Sequence, residues 1–267
     1  MSKPHWSGEA DFSRMPFFIR RMNTLGRVNV PEVPSDALPL VGFLYLMEGE
    51  VLAEVDGVQY LCEAGHLLLI PAGLTFSVRY YSDAVGYTGG FKADLLSRPE
   101  SVLQWIEPVQ QAFWFDEAAF VGELFNMLVL SFERKDTEFI GKGLDILISR
   151  IKAQPTARLP KVVSGFLEQV FSTSQPPKDL ASYAESAFVS PGHLNRMVRK
   201  VTGKSVGAWI DIARLGQAKR LLRDTELPIS EISVGVGLDD PSYFSRFFKN
   251  HAGLTPLQFR KKMHGLS

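Results

Sequence analysis

Two stripes of hydrogen-bonding side chains recur in the C-terminal half of this 267-residue chain. Gly192, Asn195, Arg196 and Arg199 form one, and Ser242, Ser245, Arg246 and Lys249 form the other. Both follow i, i+3, i+4, i+7, which is one face of an α-helix. The chemistry open to such faces is recognition rather than bond making. An arginine can donate to guanine O6 and N7, an asparagine can pair with adenine, and a lysine can neutralise phosphate. His193 sits beside the first stripe. Lys200, next to its centre, suits a phosphate better than a base. A solvated basic face on an ordinary amphipathic helix would show the same pattern once. Its recurrence favours nucleic acid.

The stripes belong to an imperfect repeat at an offset of fifty residues. "SPGHLNRMVRKVTGKS" (190–205) aligns with "DPSYFSRFFKNHAGLT" (240–255), matching Pro191 to Pro241, Arg196 to Arg246 and Gly203 to Gly253. Trp209 and Phe259 also correspond. Ser190 and Asp240 suit the N-cap, the prolines suit the first helical position, and the glycines suit a left-handed C-cap. Leu194, Met197, Val198 and Val201 form the apolar side of the first copy, and Phe244, Phe247 and Phe248 that of the second. Each copy follows a shorter helix, "DLASYAESAFVS" or "ISEISVGVGLDD". Two short helices with the second basic outside predict a helix-turn-helix, twice over. Between the copies, Ser205–Thr225 has helical spacing. A helix of that length spans about 25–30 Å and could hold two recognition helices about one DNA turn, roughly 34 Å, apart.

Charge is segregated to match. Residues 1–156 carry 13 Lys+Arg against 20 Asp+Glu, and the remainder 16 against 9. The basic C-terminal half points to an anionic partner. Hydrophobic content of 45% and charged content of 22% are those of a globular protein. No stretch is long and apolar enough to span a membrane, and "MSKPHWSGEADFSRM" has no signal core, so a cytoplasmic location is expected. Cys62, the single cysteine, offers neither an internal disulfide nor a zinc framework.

The N-terminal half reads differently. From Val41 to Phe91, short apolar runs are broken at Glu48-Gly49, Asp56-Gly57, Ala64-Gly65, Pro71-Ala72-Gly73 and Ser82-Asp83. Read as turns, these breaks predict a small antiparallel sandwich or barrel, with a further strand near Gly26–Val30. From Asp116 the period becomes helical. Phe120, Leu124, Met127, Leu128 and Phe132 mark one face. After a polar break at Glu133–Glu138, Phe139, Ile140, Leu144, Leu147, Ile148 and Ile151 mark a second. "KAQPTARLP" (152–160) reads as a linker.

"SYFSRFFKNHAGLTPLQFR", preceded by "ISEISVGVGLDD", closely resembles the C-terminal signature of the AraC/XylS family of bacterial transcription regulators. "VSPGHLNRMVRKVTGKS" is similar to that family's first recognition segment. The resemblance covers about Pro177–Met263. It implies base contacts from Gly192, Asn195 and Arg196, and more variable ones from Ser242, Ser245 and Arg246. Phe188 departs from the glycine usual in the first turn, Leu238 from a phenylalanine and Ser233 from an alanine. Gly192 has no side chain to read a base, which leaves more to Asn195 and Arg196.

The resemblance also implies a cupin-like sensing barrel at the N-terminus. "EAGHLLLIPAGLTF" is similar to the cupin pattern, but Phe76 stands at the usual metal-binding histidine and His66 is isolated. No metal or other cofactor is therefore expected. The expected fold is α+β with two domains: residues 1–155 (barrel about 25–95, helices about 116–152) and an all-α DNA-binding domain at 161–267. Candidates for a small-molecule cavity are Phe43, Tyr45, Met47, Tyr60, His66, Phe76, Tyr80 and Tyr87, each equally able to be core. The expected function is sequence-specific regulation of transcription. Double-stranded DNA is the partner, entered through the major groove, and the barrel senses an effector or joins a homodimer. RNA polymerase is a further candidate partner. The alternative is a cupin-type enzyme with an appended interaction domain, for which no convergent ligand set or catalytic constellation can be placed.

Overall fold

A computed structural model describes residues 15–24, 28–29, 36–37, 40–100, 112–114, 118–151, 159–172 and 175–264. Of the linker read at 152–160, residues 152–158 lie outside them. The chain divides into two compact units: residues 1–27 with 32–158, and 28–31 with 159–267. No helix among the described residues is long and apolar enough to cross a membrane.

The N-terminal unit is built on a sheet. Its strands are β1 (Phe17–Asn23), β3 (Asp36–Ala37), β4 (Val41–Val55), β5 (Val58–Glu63), β6 (His66–Ile70), β7 (Thr75–Phe91) and β8 (Ala112–Trp114), while the two-residue β2 (Val28–Asn29) falls in the other unit. The hydrogen-bonded path is β1-β7-β4-β6-β8, with β5 paired to β4. The expected closed barrel is not what this path forms: the sheet is open. Its end strands, β1 and β8, pair with β7 and β6 respectively, and among the described residues not with each other.

Three of the five sequence breaks are turns and two are not. Asp56 and Gly57, at φ 47° and 75°, make the two-residue β4–β5 hairpin. Ala64-Gly65 and Pro71-Ala72-Gly73 also lie between strands. Glu48-Gly49 and Ser82-Asp83, by contrast, fall inside the long strands β4 and β7. There the register slips between Leu46 and Glu48 and again between Glu48 and Glu50. Gly49 and Asp83 take φ 75° and 48°. A Cβ on Gly49 would collide with the Ser82 and Asp83 carbonyls, so the two irregularities face one another. They are β-bulges: an extra residue turns the strand without ending it.

These bulges change which residues face which layer. Phe43, Tyr45, Leu67, Leu69, Tyr87 and Phe91 form one core with α1 (Ala118–Glu133) and α2 (Thr137–Arg150). Leu44, Leu46, Val51, Ala53, Val55, Tyr60, Cys62, Leu68 and Phe76 form a separate core. The two helices fall where the 3.6-residue period places them. Asp136 caps α2 by accepting from the Phe139 N–H at 3.0 Å.

The C-terminal unit is helical: α3 (Lys161–Val170), α4 (Leu180–Ser186), α5 (Pro191–Thr202), α6 (Val206–Asp224), α7 (Ile229–Gly235), α8 (Pro241–Ala252) and α9 (Pro256–Met263). Helix α6 runs through its centre and packs against α3, α5, α7, α8 and α9. Its Trp209 is fully buried, lies edge-on to Phe171 with ring centroids 5.8 Å apart, and donates from Nε1 to Thr202 Oγ1 at 2.9 Å. Around the other end, Leu215, Ala218 and Leu222 meet Ile232, Val236, Phe244 and Phe248.

Candidate nucleic-acid interface

The two expected recognition helices are α5 and α8. Ser190 accepts from the His193 N–H, Pro191 opens α5, and Gly203 closes it at φ 71°. Asp240 accepts from the Ser242 N–H at 2.8 Å, Pro241 opens α8, and Gly253 closes it at φ 72°. The apolar sides are buried through Leu194 and Val198 in α5 and through Phe244, Phe247 and Phe248 in α8. That burial fixes which side of each helix faces water.

Gly192, His193, Arg196, Arg199 and Lys200 are exposed along α5, as are Ser242, Arg246 and Lys249 along α8. Asn195 and Ser245 are half-buried. Each stripe is thus one cationic, donor-rich ridge. Asn195 has a second employment that its sequence position does not reveal. Its Oδ1 accepts from the Val206 N–H at 3.0 Å, tying α5 to the first turn of α6. That bond takes one of the two lone pairs of the amide oxygen that an adenine contact would also use. Ser245 Oγ donates to the Pro241 carbonyl of its own helix at 2.9 Å.

Two departures from the family pattern acquire physical meaning. Ser233 is fully buried, and its hydroxyl donates to the Leu238 carbonyl, bracing the α7–α8 turn. Phe188 sits at φ 56° in the α4–α5 turn and is 96% exposed. Exposed Tyr243 on α8 is a neighbour of the second ridge that polarity-based reading passes over.

The eight cavity candidates do not line one site. Phe43, Tyr45 and Tyr87 surround Phe125 of α1, with ring centroids 5.5, 4.8 and 5.2 Å from it, inside the sheet–helix core. Burial pushes the Tyr45 phenol up to about 12. Tyr87 donates to Asn126 Oδ1 at 2.7 Å. Tyr60 and Phe76 belong to the other core. Tyr80 donates to Glu50 Oε1 at 2.5 Å. Met47 is partly exposed, its methyl 3.2 Å from where a Cβ would stand on Gly122 of α1. His66 accepts from the Glu63 N–H through Nδ1 at 2.9 Å, and burial lowers its pKa against the opposing pull of Glu63. Among the described residues, no group of three or more His, Cys, Asp or Glu side chains is placed to hold a metal ion.

Comparison with known proteins bears on the ridges directly. Residues 183–262, which span α5, α6, α7 and α8, match a family described as a helix-turn-helix domain. The arabinose operon regulatory protein of Salmonella typhimurium is 27% identical over 235 residues, covering 80% of this chain and 81% of the relative. That of Escherichia coli is 28% identical over 230 residues, covering 80% and 78%. The chain belongs to the AraC/XylS family. This AraC/XylS regulator is also similar to the solved C-terminal domain of AraT, a response regulator from Geobacillus stearothermophilus. The two are 37% identical, the match covers 40% of this chain and 88% of that one, and the TM-score is 0.37. The regulator binds DNA through its helix-turn-helix unit, and α5 and α8 are the helices in which the two repeats place their basic ridges.

Proposed function

We propose that the regulator reads two neighbouring major-groove segments, one with α5 and one with α8. The observation that carries this reading is the recurrence of a capped helix with one buried, largely apolar side and one exposed cationic side. Arg196 and Arg246 are the base readers. Arg199, Lys200 and Lys249 contact phosphate and set affinity more than specificity. His193, Asn195, Ser242 and Ser245 complete the two surfaces, and Gly192 leaves room for the duplex to approach. Selection of bound duplexes from a random pool, followed by footprinting, tests the reading. It predicts two protected segments about one helical turn apart. One protected segment, or none, overturns it.

The N-terminal unit, on this reading, is a cupin-like module that senses a small molecule or pairs two copies, working in the cytoplasm and touching RNA polymerase when bound upstream of a gene. Pairing is favoured by a specific observation: Phe120, Met127 and Leu130 lie along α1 and remain 44–47% exposed. Leu128 and Leu144, which sequence period alone nominates equally well, are fully buried in the sheet–helix core and serve folding instead. Met127→Asp with Leu130→Asp gives a folded monomer in sedimentation if this stripe joins two copies. A wild-type chain that is itself monomeric removes the pairing reading.

A further inference from the structure

We infer that Arg214 is a positioning residue that fixes the angle between the two helix-turn-helix subdomains, and thereby the spacing of DNA segments that the regulator accepts. The inference rests on the two-segment reading above.

Arg214 lies midway along α6, the helix that both subdomains share. Its side chain is only 19% exposed. On one side its charge is felt by Asp179 and Tyr183 of the first subdomain. Hydrogen bonds from Ser182 hold the Asp179 carboxyl below the usual carboxylate range, and Arg214 adds to that pull. Burial raises the Tyr183 phenol, against the Lys178 amide and Arg214. Asp179 is also the N-cap of α4, accepting from the Ser182 N–H at 2.8 Å. On the other side, Arg214 Nη2 stands 3.8 Å from where a Cβ would sit on Gly237, in the α7–α8 turn of the second subdomain. The guanidinium therefore borders the turn of the second helix-turn-helix, beside the point where the Pro176-Pro177 segment leading into the first meets it.

The two subdomains also touch beside it. A Cβ on Gly237 would stand 2.8 Å from the Pro177 carbonyl and 3.7 Å from the Pro176 ring. Pro177 is buried, and its segment leads directly into Asp179. Arg214 thus borders a backbone-to-backbone contact that admits little sliding.

Local stability alone does not account for an arginine at this place. Its Nε is buried without a hydrogen-bond partner, and Asp211 Oδ1 stands 4.0 Å from its Nη1. A buried donor left unsatisfied costs free energy that an apolar chain of similar length would avoid. What the guanidinium supplies, and methionine would not, is a rigid, planar, charged group packed beside the contact between Gly237 and the Pro176-Pro177 segment. Burial raises the Asp211 carboxyl against the charges of His251, on α8, and of Arg214.

The duplex reads the angle. Inserting one base pair between the two segments moves the second about 3.4 Å along the axis and about 35° around it. A rigid junction penalises that displacement, whereas a loosened one absorbs it.

The test uses the full-length protein and a duplex taken from the selected pool, with the interval between segments lengthened or shortened by one and two base pairs. Wild type is expected to lose about tenfold in affinity for each base pair of change. Arg214→Met, which keeps the aliphatic stem, is expected to lose about threefold or less. Its affinity for a duplex carrying the first segment alone stays within about twofold of wild type. Arg214→Gln, which removes both the charge and the fork, is expected to follow the methionine variant and serves if that variant melts early. An Arg214→Met or Arg214→Gln profile as steep as wild type overturns the inference while leaving two-segment reading intact. A flat wild-type profile removes the two-segment reading, and this inference with it.

Discussion

The two helix-turn-helix subdomains share a template and differ in how tightly each turn is enclosed. In the first, the Phe188 N–H donates to Glu185 and the Val189 N–H to Ala184. In the second, the Gly237 N–H donates to Val234 and the Leu238 N–H to Ser233. The bonding pattern is the same, so Phe188 and Gly237 are equivalent, one residue out of step with the fifty-residue offset of the recognition helices. Both adopt the left-handed conformation. Gly237 needs that residue type twice, for its φ of 74° and for the Pro177 carbonyl beside it. Phe188 faces solvent, so its turn bears only the conformational cost. A left-handed turn position is thus under two separable pressures, backbone angle and available space, and only the second subdomain combines them.

Breaking the enclosed turn has the largest expected effect. Gly237→Ala adds a methyl at a positive φ, costing about 1–2 kcal/mol, and presses it against backbone that cannot rotate away, costing about 1–3 kcal/mol. Together these predict a loss of about 2–5 kcal/mol in denaturant unfolding of the full-length chain. A loss under about 1 kcal/mol would mean that the two subdomains separate easily at this contact.

The ridges give the next largest effect, read on DNA. Replacing an arginine that reads guanine costs about 1–3 kcal/mol and relaxes preference at one segment. Arg196→Ala is expected to blur one segment and Arg246→Ala the other, with the larger loss for Arg196. The reason lies in its neighbours. Asn195 holds α5 to α6 through the Val206 N–H, whereas Ser245 bonds only within its own helix. The arginine beside the fixed residue is better preorganised. Equal losses on specific and random duplexes would show that neither arginine reads bases. Lys200→Ala provides the control, weakening all sequences alike and lowering the salt dependence.

Much of the C-terminal unit was legible in the sequence because its signals are local. Ser190, Asp240, the two prolines, Gly203 and Gly253 act within a turn of their own position, and the helices begin and end where those residues place them. The N-terminal sheet was less legible because its decisive events are pairings across strands. Glu48-Gly49 and Ser82-Asp83 have turn composition, and nothing within either dipeptide says that it lies opposite the other as a bulge. Each bulge reverses the inward parity of the residues beyond it. That is why the aromatic, Met and His candidates chosen along β4 to β7 do not converge: Phe43, Tyr45 and Tyr87 fall in one core and Tyr60 and Phe76 in the other. Asn195 illustrates the same limit inside the ridge: its type and spacing fit base reading, but its bond to Val206 depends on how α5 meets α6. Leu128 differs from Met127 by only 100° around α1, a distinction that periodicity cannot rank until the sheet is in place.

The smallest effect tests the open turn and has the opposite sign. Phe188 at φ 56° pays the left-handed penalty of a residue with a Cβ, about 1–2 kcal/mol. Its ring is exposed, so removing it sacrifices little packing. Glycine abolishes the steric penalty but enlarges the unfolded ensemble, which returns about 0.5–1 kcal/mol. Phe188→Gly is therefore expected to stabilise the chain by about 0.5–1 kcal/mol, while Phe188→Ala, which retains the Cβ, changes stability by less than about 0.5 kcal/mol. Paired unfolding curves of the two variants isolate the backbone contribution, because both remove the ring and only one removes the Cβ. If glycine destabilises as much as alanine, the ring rather than the angle governs this turn, and the two turns differ in packing as well as in enclosure.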